Sequence, residues 1–373
     1  MAGLTRWAVA APLAVLLCLS IGARAHAESI TVGPSPLINI QMQGGNLQII
    51  SWNRPNVEIE TGGRVSWRHF DSASVQGHIP QSIALWAQSV QTPRGAMAMP
   101  AERFVLPALP TGAHDAVVIR GAGPTVIHVP QSTALLAVRI ARNGVLRIEG
   151  YHGAAFAALV HQGGVALQDV HSSGVVQVGR GPIVAENSSF GRLRARNAVG
   201  NLFFSHVTAT QIDASSVGGS ILADDIHFTP GLARFQSQHG NVVLGVRGGA
   251  QIEAHGGNAG AITTRFNNAH EIARQGSDIR ATLAGGGPVV TATSTRGRVI
   301  LYNGSIAEHP RLAARIPVIA RSLGQVRARL NAAPKRAPRG GVIRSMRRAQ
   351  GRRRPPPANV RRRAAKQRRR GPP

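Results

Sequence analysis

Thiols, aromatic rings and acids are all scarce in this chain of 373 residues, and each scarcity removes a class of protein. The one cysteine, Cys18, lies inside an apolar run near the N-terminus. If that run is removed, no thiol remains, so a disulfide framework and a thiolate metal site are both excluded. Aromatic residues make up 4% of the chain, against 43 glycines, which argues against an ordinary helical enzyme core. The 16 acids are spread thinly, and only Asp224 and Asp225 are adjacent. A polysaccharide hydrolase needs two carboxylates held close together, and a lyase commonly needs acids for calcium. No H-E-x-x-H, G-x-x-x-x-G-K-[ST] or G-x-S-x-G motif is present, and no glycine run follows a strand and opens a helix. The expectation is a protein without enzymatic activity, catalytic residues or cofactor. Asp224-Asp225, with Asp213 about half a repeat earlier, reads as solvated charge at a turn.

What is present begins with a leader. Arg6, the apolar run Ala8–Ile21 and the small-x-small site Ala25-His26-Ala27 have the form of a secretory signal. The run is short of the roughly 20 residues that a membrane-spanning helix needs. Residues 1–27 are therefore expected to be removed, leaving a secreted, periplasmic or envelope protein that starts near Glu28.

Charge divides the chain sharply. Residues 1–310 carry 22 arginines and all 16 acids, a net +6; residues 311–373 carry 19 arginines, 2 lysines and no acid, a net +21. The apolar fraction of 43% is enough for a buried core in the body. Within 304–330, Leu312, Ile316, Ile319, Leu323, Val326 and Leu330 recur at helical spacing with Pro317 between them. This basic amphipathic segment fits either an anionic membrane surface or a cap on the body. Residues 331–373 are rich in proline, glycine and like charges and are expected to be disordered. Arg352, Arg353, Arg354, Arg361, Arg362, Arg363, Arg368, Arg369 and Arg370 form its densest clusters. They are the candidate polyanion-binding residues, acting by counterion release without reading sequence. The expected partner is an anionic surface polymer or lipid, with non-specific nucleic acid as the alternative. The tail lacks aromatic rings for base stacking.

The middle of the chain repeats. From Gly144 the blocks read GVLRIEGYHGAAFAALVHQG, GVALQDVHSSGVVQVGRG, PIVAENSSFGRLRARNAV, GNLFFSHVTATQIDASSVG and GSILADDIHFTPGLARFQSQH, then two further blocks opening GNVVLGV and GAITTRF. A period of roughly 20 residues lies in the range of stacked repeat architectures. Each block carries two alternating apolar runs, the signature of strands with one buried face. Such a block cannot bury its face alone, but stacking neighbours does so. The expected fold is an all-β, parallel β-solenoid of short coils over residues 28–303, in place of an antiparallel sandwich of hairpins. Residues 71–111, rich in proline and small residues, read as an excursion from it.

GGNLQIISWNRPNVEIE (Gly44–Glu60), VIHVPQSTALLAVRIARNGVLRIEGYHG (Val126–Gly153) and the closing GGGPVVTATSTRGRVILY (Gly285–Tyr302) resemble segments of a bacterial adhesin-domain family of unknown function. The resemblance spans roughly residues 30–303. It implies a secreted or envelope-attached parallel β-solenoid and a binding role. It implies no active site, and no residue role is transferred.

His171, His206 and His227 fall at similar places in three blocks, but the parity of His206 differs from that of the other two. They read as surface histidines, with no metal site expected.

Overall fold

The computed structural model describes residues 27–71, 115–257, 261–266, 269–313 and 342–345. The leader, the 71–111 excursion beyond Asp71, most of the amphipathic segment and the arginine clusters lie outside the described residues.

The architecture is all-β, and the alternating runs explain why. In Leu135–Glu149 the side chains of Leu136, Val138 and Ile140 are buried and make one column set with Phe156, Ala158 and Val160. Two ladders, parallel through the middle, share a single apolar core. One joins, in spatial order, β6 (Ala116–Ala122), β2 (Leu37–Met42), the first half of β8 (Leu135–Glu149), the first half of β9 (Ala155–Gln168) and β10 (Ser173–Arg180). It continues through the second halves of β11 (Ile183–Val199) and β12 (Leu202–Ser216), then β14 (Leu232–Ser237), β20 (Val289–Ser294) and β16 (Ala250–Gly256). The other joins β7 (Thr125–Pro130), β3 (Leu47–Trp52), the second halves of β8 and β9, and the first halves of β11 and β12. It ends with β13 (Ile221–Phe228), β15 (Val242–Arg247), β21 (Val299–Asn303) and β17 (Ile262–Arg265).

The expectation of uniform parallel stacking needs correction at both ends. β1 (Glu28–Thr31) pairs antiparallel with β4 (Asn56–Thr61), β4 with β7, and β5 (Arg64–Phe70) with β6. At the far end β19 (Asp278–Leu283) pairs antiparallel with both β16 and β18 (Ala269–Gln275). The tight turn between Gln275 and Asp278 returns the chain at once, so β18 and β19 can pair only in opposite directions. The sheet is thus mixed. Within the segment expected to be disordered, β22 (Val342–Ser345) is a strand, parallel to β5. Of the expected helical segment, a single 3₁₀ turn (Ile306–Glu308) and a helical turn (Pro310–Ala313) fall among the described residues. No helix there is long and apolar enough to cross a membrane.

Two corners hold the layers in place. At one, Gly144, Gly163, Gly181, Gly200, Gly219, Gly240 and Gly297 stack. A Cβ on Gly181 would lie 1.4 Å from the Gly163 carbonyl oxygen, and one on Gly219 would lie 1.8 Å from that of Gly200. Close approach of the neighbouring layer demands glycine here even at Gly219 and Gly240, where φ is not positive. Beside this spine the buried column Ile140, Val160, Val178 turns polar at Asn197, Ser216, Ser237 and Ser294. Ser237 Oγ donates to the Gly219 carbonyl at 2.7 Å, and Ser294 Oγ donates to that of Gly240 at 2.8 Å. Each hydroxyl satisfies a turn carbonyl of the layer before it, which is why polar groups are stable in an otherwise apolar column.

Candidate functional site

The second corner is where polar side chains gather. Gly150, Asp169, Asn187, His206 and Asp225 occupy successive layers, with φ of 60°, 55°, 50°, 53° and 56°. This left-handed conformation is costly for most side chains, and Asn, Asp and His are the residues that adopt it most readily. The fold therefore selects short polar or imidazole groups along this edge before any function is considered. Two residues further along each strand a parallel column runs through His152, His171, Ser189, Thr208 and His227.

These columns settle the three histidines singled out in the sequence. His171 and His227 share a column but are separated by Ser189 and Thr208, and His206 belongs to the neighbouring column. The structure does not bring the three together. Instead His171 stacks on His152, with ring centroids 4.6 Å apart, and its Nε2 lies 3.0 Å from Asp169 Oδ1. His206 Nε2 lies 3.5 Å from Asp225 Oδ2. The sequence reading missed His152. Aligning the blocks on the left-handed residue would have found it, because Gly150-Tyr151-His152 then stands under Asp169-Val170-His171 and Asp225-Ile226-His227.

The paired acids are not solvated turn charge, as the sequence had suggested. Asp224 Oδ1 accepts from the Tyr302 hydroxyl at 2.9 Å and from the Ile306 amide at 2.7 Å, while Oδ2 accepts from Ser305 Oγ at 3.3 Å. Burial first, and then the Asp224 carboxylate, hold the Tyr302 phenol far above its ordinary pKa. Asp225 accepts from Arg247 Nε, and that hydrogen bond raises the guanidinium pKa further. Asp213 lies against Arg194 at 3.2 Å and Arg196 at 3.4 Å. All three acids thus serve as structural acceptors. The nine candidate arginines, from Arg352 to Arg370, lie outside the described residues.

No protein-family model matches this chain, and no curated protein matches it in sequence. The resemblance read from the glycine and aliphatic motifs therefore has no family match behind it. Among solved structures, a "putative cell adhesion protein" from Clostridium sporogenes aligns with 74% of this chain and 98% of its own, at 9% identity and a TM-score of 0.24. Likeness that low leaves the fold to be argued from this chain's own residues.

Proposed function

We propose that this chain is an exported, non-enzymatic β-solenoid that acts as an adhesin-like binding scaffold of the cell envelope, held on anionic surfaces by its arginine-rich tail. The observation that carries this reading is the pair of parallel ladders advancing by roughly twenty residues per layer around one apolar core. Layers of this kind present long, rigid, nearly flat faces, which suit adhesion better than a pocket chemistry. The engagement of Asp213, Asp224 and Asp225 by Arg194, Arg196, Arg247, Tyr302 and Ser305 supports the non-enzymatic part, because those carboxylates are committed to holding the fold.

The tail supplies attraction and the body supplies shape. Residues 331–373, with 14 arginines, 2 lysines and no acid, release many counterions on meeting a phosphate- or carboxylate-rich surface, so binding weakens steeply with salt. Deleting residues 331–373 is expected to abolish salt-sensitive retention on anionic vesicles and on acidic glycans while preserving the β circular-dichroism signal. Unchanged retention would remove the tail from the mechanism. A clear preference for DNA over both anionic surfaces, measured at two salt concentrations, would replace this reading with that of an extracellular nucleic-acid binder.

A further inference from the structure

We propose that His152, Asp169 and His171 form a binding site for a divalent transition-metal ion of the zinc or nickel type. One ligand atom from each of the three lies within 4.8 Å of the other two. Donor atoms around one such ion, bound at about 2.0–2.2 Å, stand roughly 3–4 Å apart. His171 Nε2 and Asp169 Oδ1 are already 3.0 Å apart, inside that range. His152 completes the set by a side-chain rotation that its exposure permits. Two imidazoles and one carboxylate suit zinc, nickel and copper better than calcium or magnesium, which prefer all-oxygen sets.

The backbone beneath these side chains is fixed, which distinguishes this group from a chance surface cluster. The His171 amide donates to the Tyr151 carbonyl at 2.8 Å, and the Asp169 amide donates to that of Glu186 at 3.2 Å. Tyr151 is fully buried and donates its hydroxyl to the Ala155 carbonyl at 2.8 Å. Asp169 is held in the left-handed region, so its Cα–Cβ direction is set by the corner and not by solvent. Val170 donates its amide to Ser188 Oγ at 3.1 Å, which ties the next layer to the same strand. Ligands mounted on rigid elements lose little backbone entropy when an ion binds. Three protein ligands leave coordination positions open to solvent, where water or an oxygen donor from a partner surface completes the shell.

Isothermal titration of Zn²⁺ or Ni²⁺ into the full chain, free of any affinity tag, tests the site. Saturable binding is expected, with His152→Ala and His171→Ala each weakening it at least tenfold. Asp169→Asn keeps the corner, because asparagine accepts the same backbone, and is expected to weaken binding severalfold without changing the circular-dichroism spectrum. His255→Ala, at a separate pair with Asp278 3.2 Å away, serves as control and is expected to bind like the parent chain. A flat titration, or equal affinity in the parent, His152→Ala and His171→Ala chains, would overturn the assignment.

Discussion

Phe235 lies beside Ala292 in the parallel ladder, and Ala254, nearer to Phe235 in sequence, lies one strand further out beyond Ala292. The last layer of the chain, β20 and β21, is therefore inserted between β14/β15 and β16/β17. The same device occurs at the other end, where β2 stands between β6 and β8, and β3 between β7 and β8. At one end a late segment fills a gap between earlier strands, and at the other the early strands β2 and β3 are enclosed on both sides by later ones.

That interposition makes a truncation behave unlike the loss of an end layer. A chain stopped after Gly287 lacks the strands that β14, β15, β16 and β17 all pair with. Hydrogen exchange is expected to accelerate at Ala233–Ser237 as well as at Ile252–Gly256. Retained protection of β14 in that chain would show that the layers depend on sequence neighbours alone.

The same substitution is expected to cost clearly more in the glycine spine than at an open turn glycine outside it. Gly181→Ala places a methyl group against the Gly163 carbonyl at a φ of 137°. Backbone strain of this kind alone costs about 1–3 kcal/mol, and the clash adds to it. Gly276→Ala, at a φ of 61° with nothing within 4 Å, meets only the left-handed penalty of about 1–2 kcal/mol. Thermal melts of the two variants should differ clearly, and similar melting temperatures would contradict the close-approach account.

Ser237 both donates to the Gly219 carbonyl and accepts from the Gly240 amide, at 2.7 and 2.8 Å. Ser237→Ala strands both groups in a buried corner. A loss of about 1–3 kcal/mol is expected from denaturant melts. A variant as stable as the parent would mean that the polar column is incidental.

Both tyrosines of the chain, Tyr151 and Tyr302, are buried, and burial pushes both phenols far above their ordinary pKa. The unfolded chain releases these protons near pH 10, whereas the folded chain keeps them. Their contribution to stability is complete below that pH and is lost as pH rises beyond it. Absorbance at the phenolate band should stay flat above pH 10 and then rise together with loss of the β signal. A phenolate signal that rises before unfolding would refute the burial argument.

How much of this was legible beforehand depends on the kind of residue. Val176, Ala195 and Ala214 could be placed in one column from period-two alternation and block length, because a buried strand face requires both. His152 was legible in principle, since it follows Gly150 as His171 follows Asp169, but only once the left-handed residue was chosen as the reference point. Asp224 was misread because its partners, Tyr302, Ser305 and Ile306, lie far along the chain and share no motif with it.

The amino-acid order alone determined the strand character of the body, the glycine at each layer boundary and the split between a mildly basic body and a strongly basic tail. These follow from local stereochemistry and composition, which need no partner. The folded chain alone decided which layer lies against which, where pairing turns antiparallel and which histidines meet. The physical reason is that a ladder hydrogen bond reads backbone register and not sequence distance. Any strand with the right parity of apolar side chains can occupy a given layer, and only the connections of the complete chain select among them.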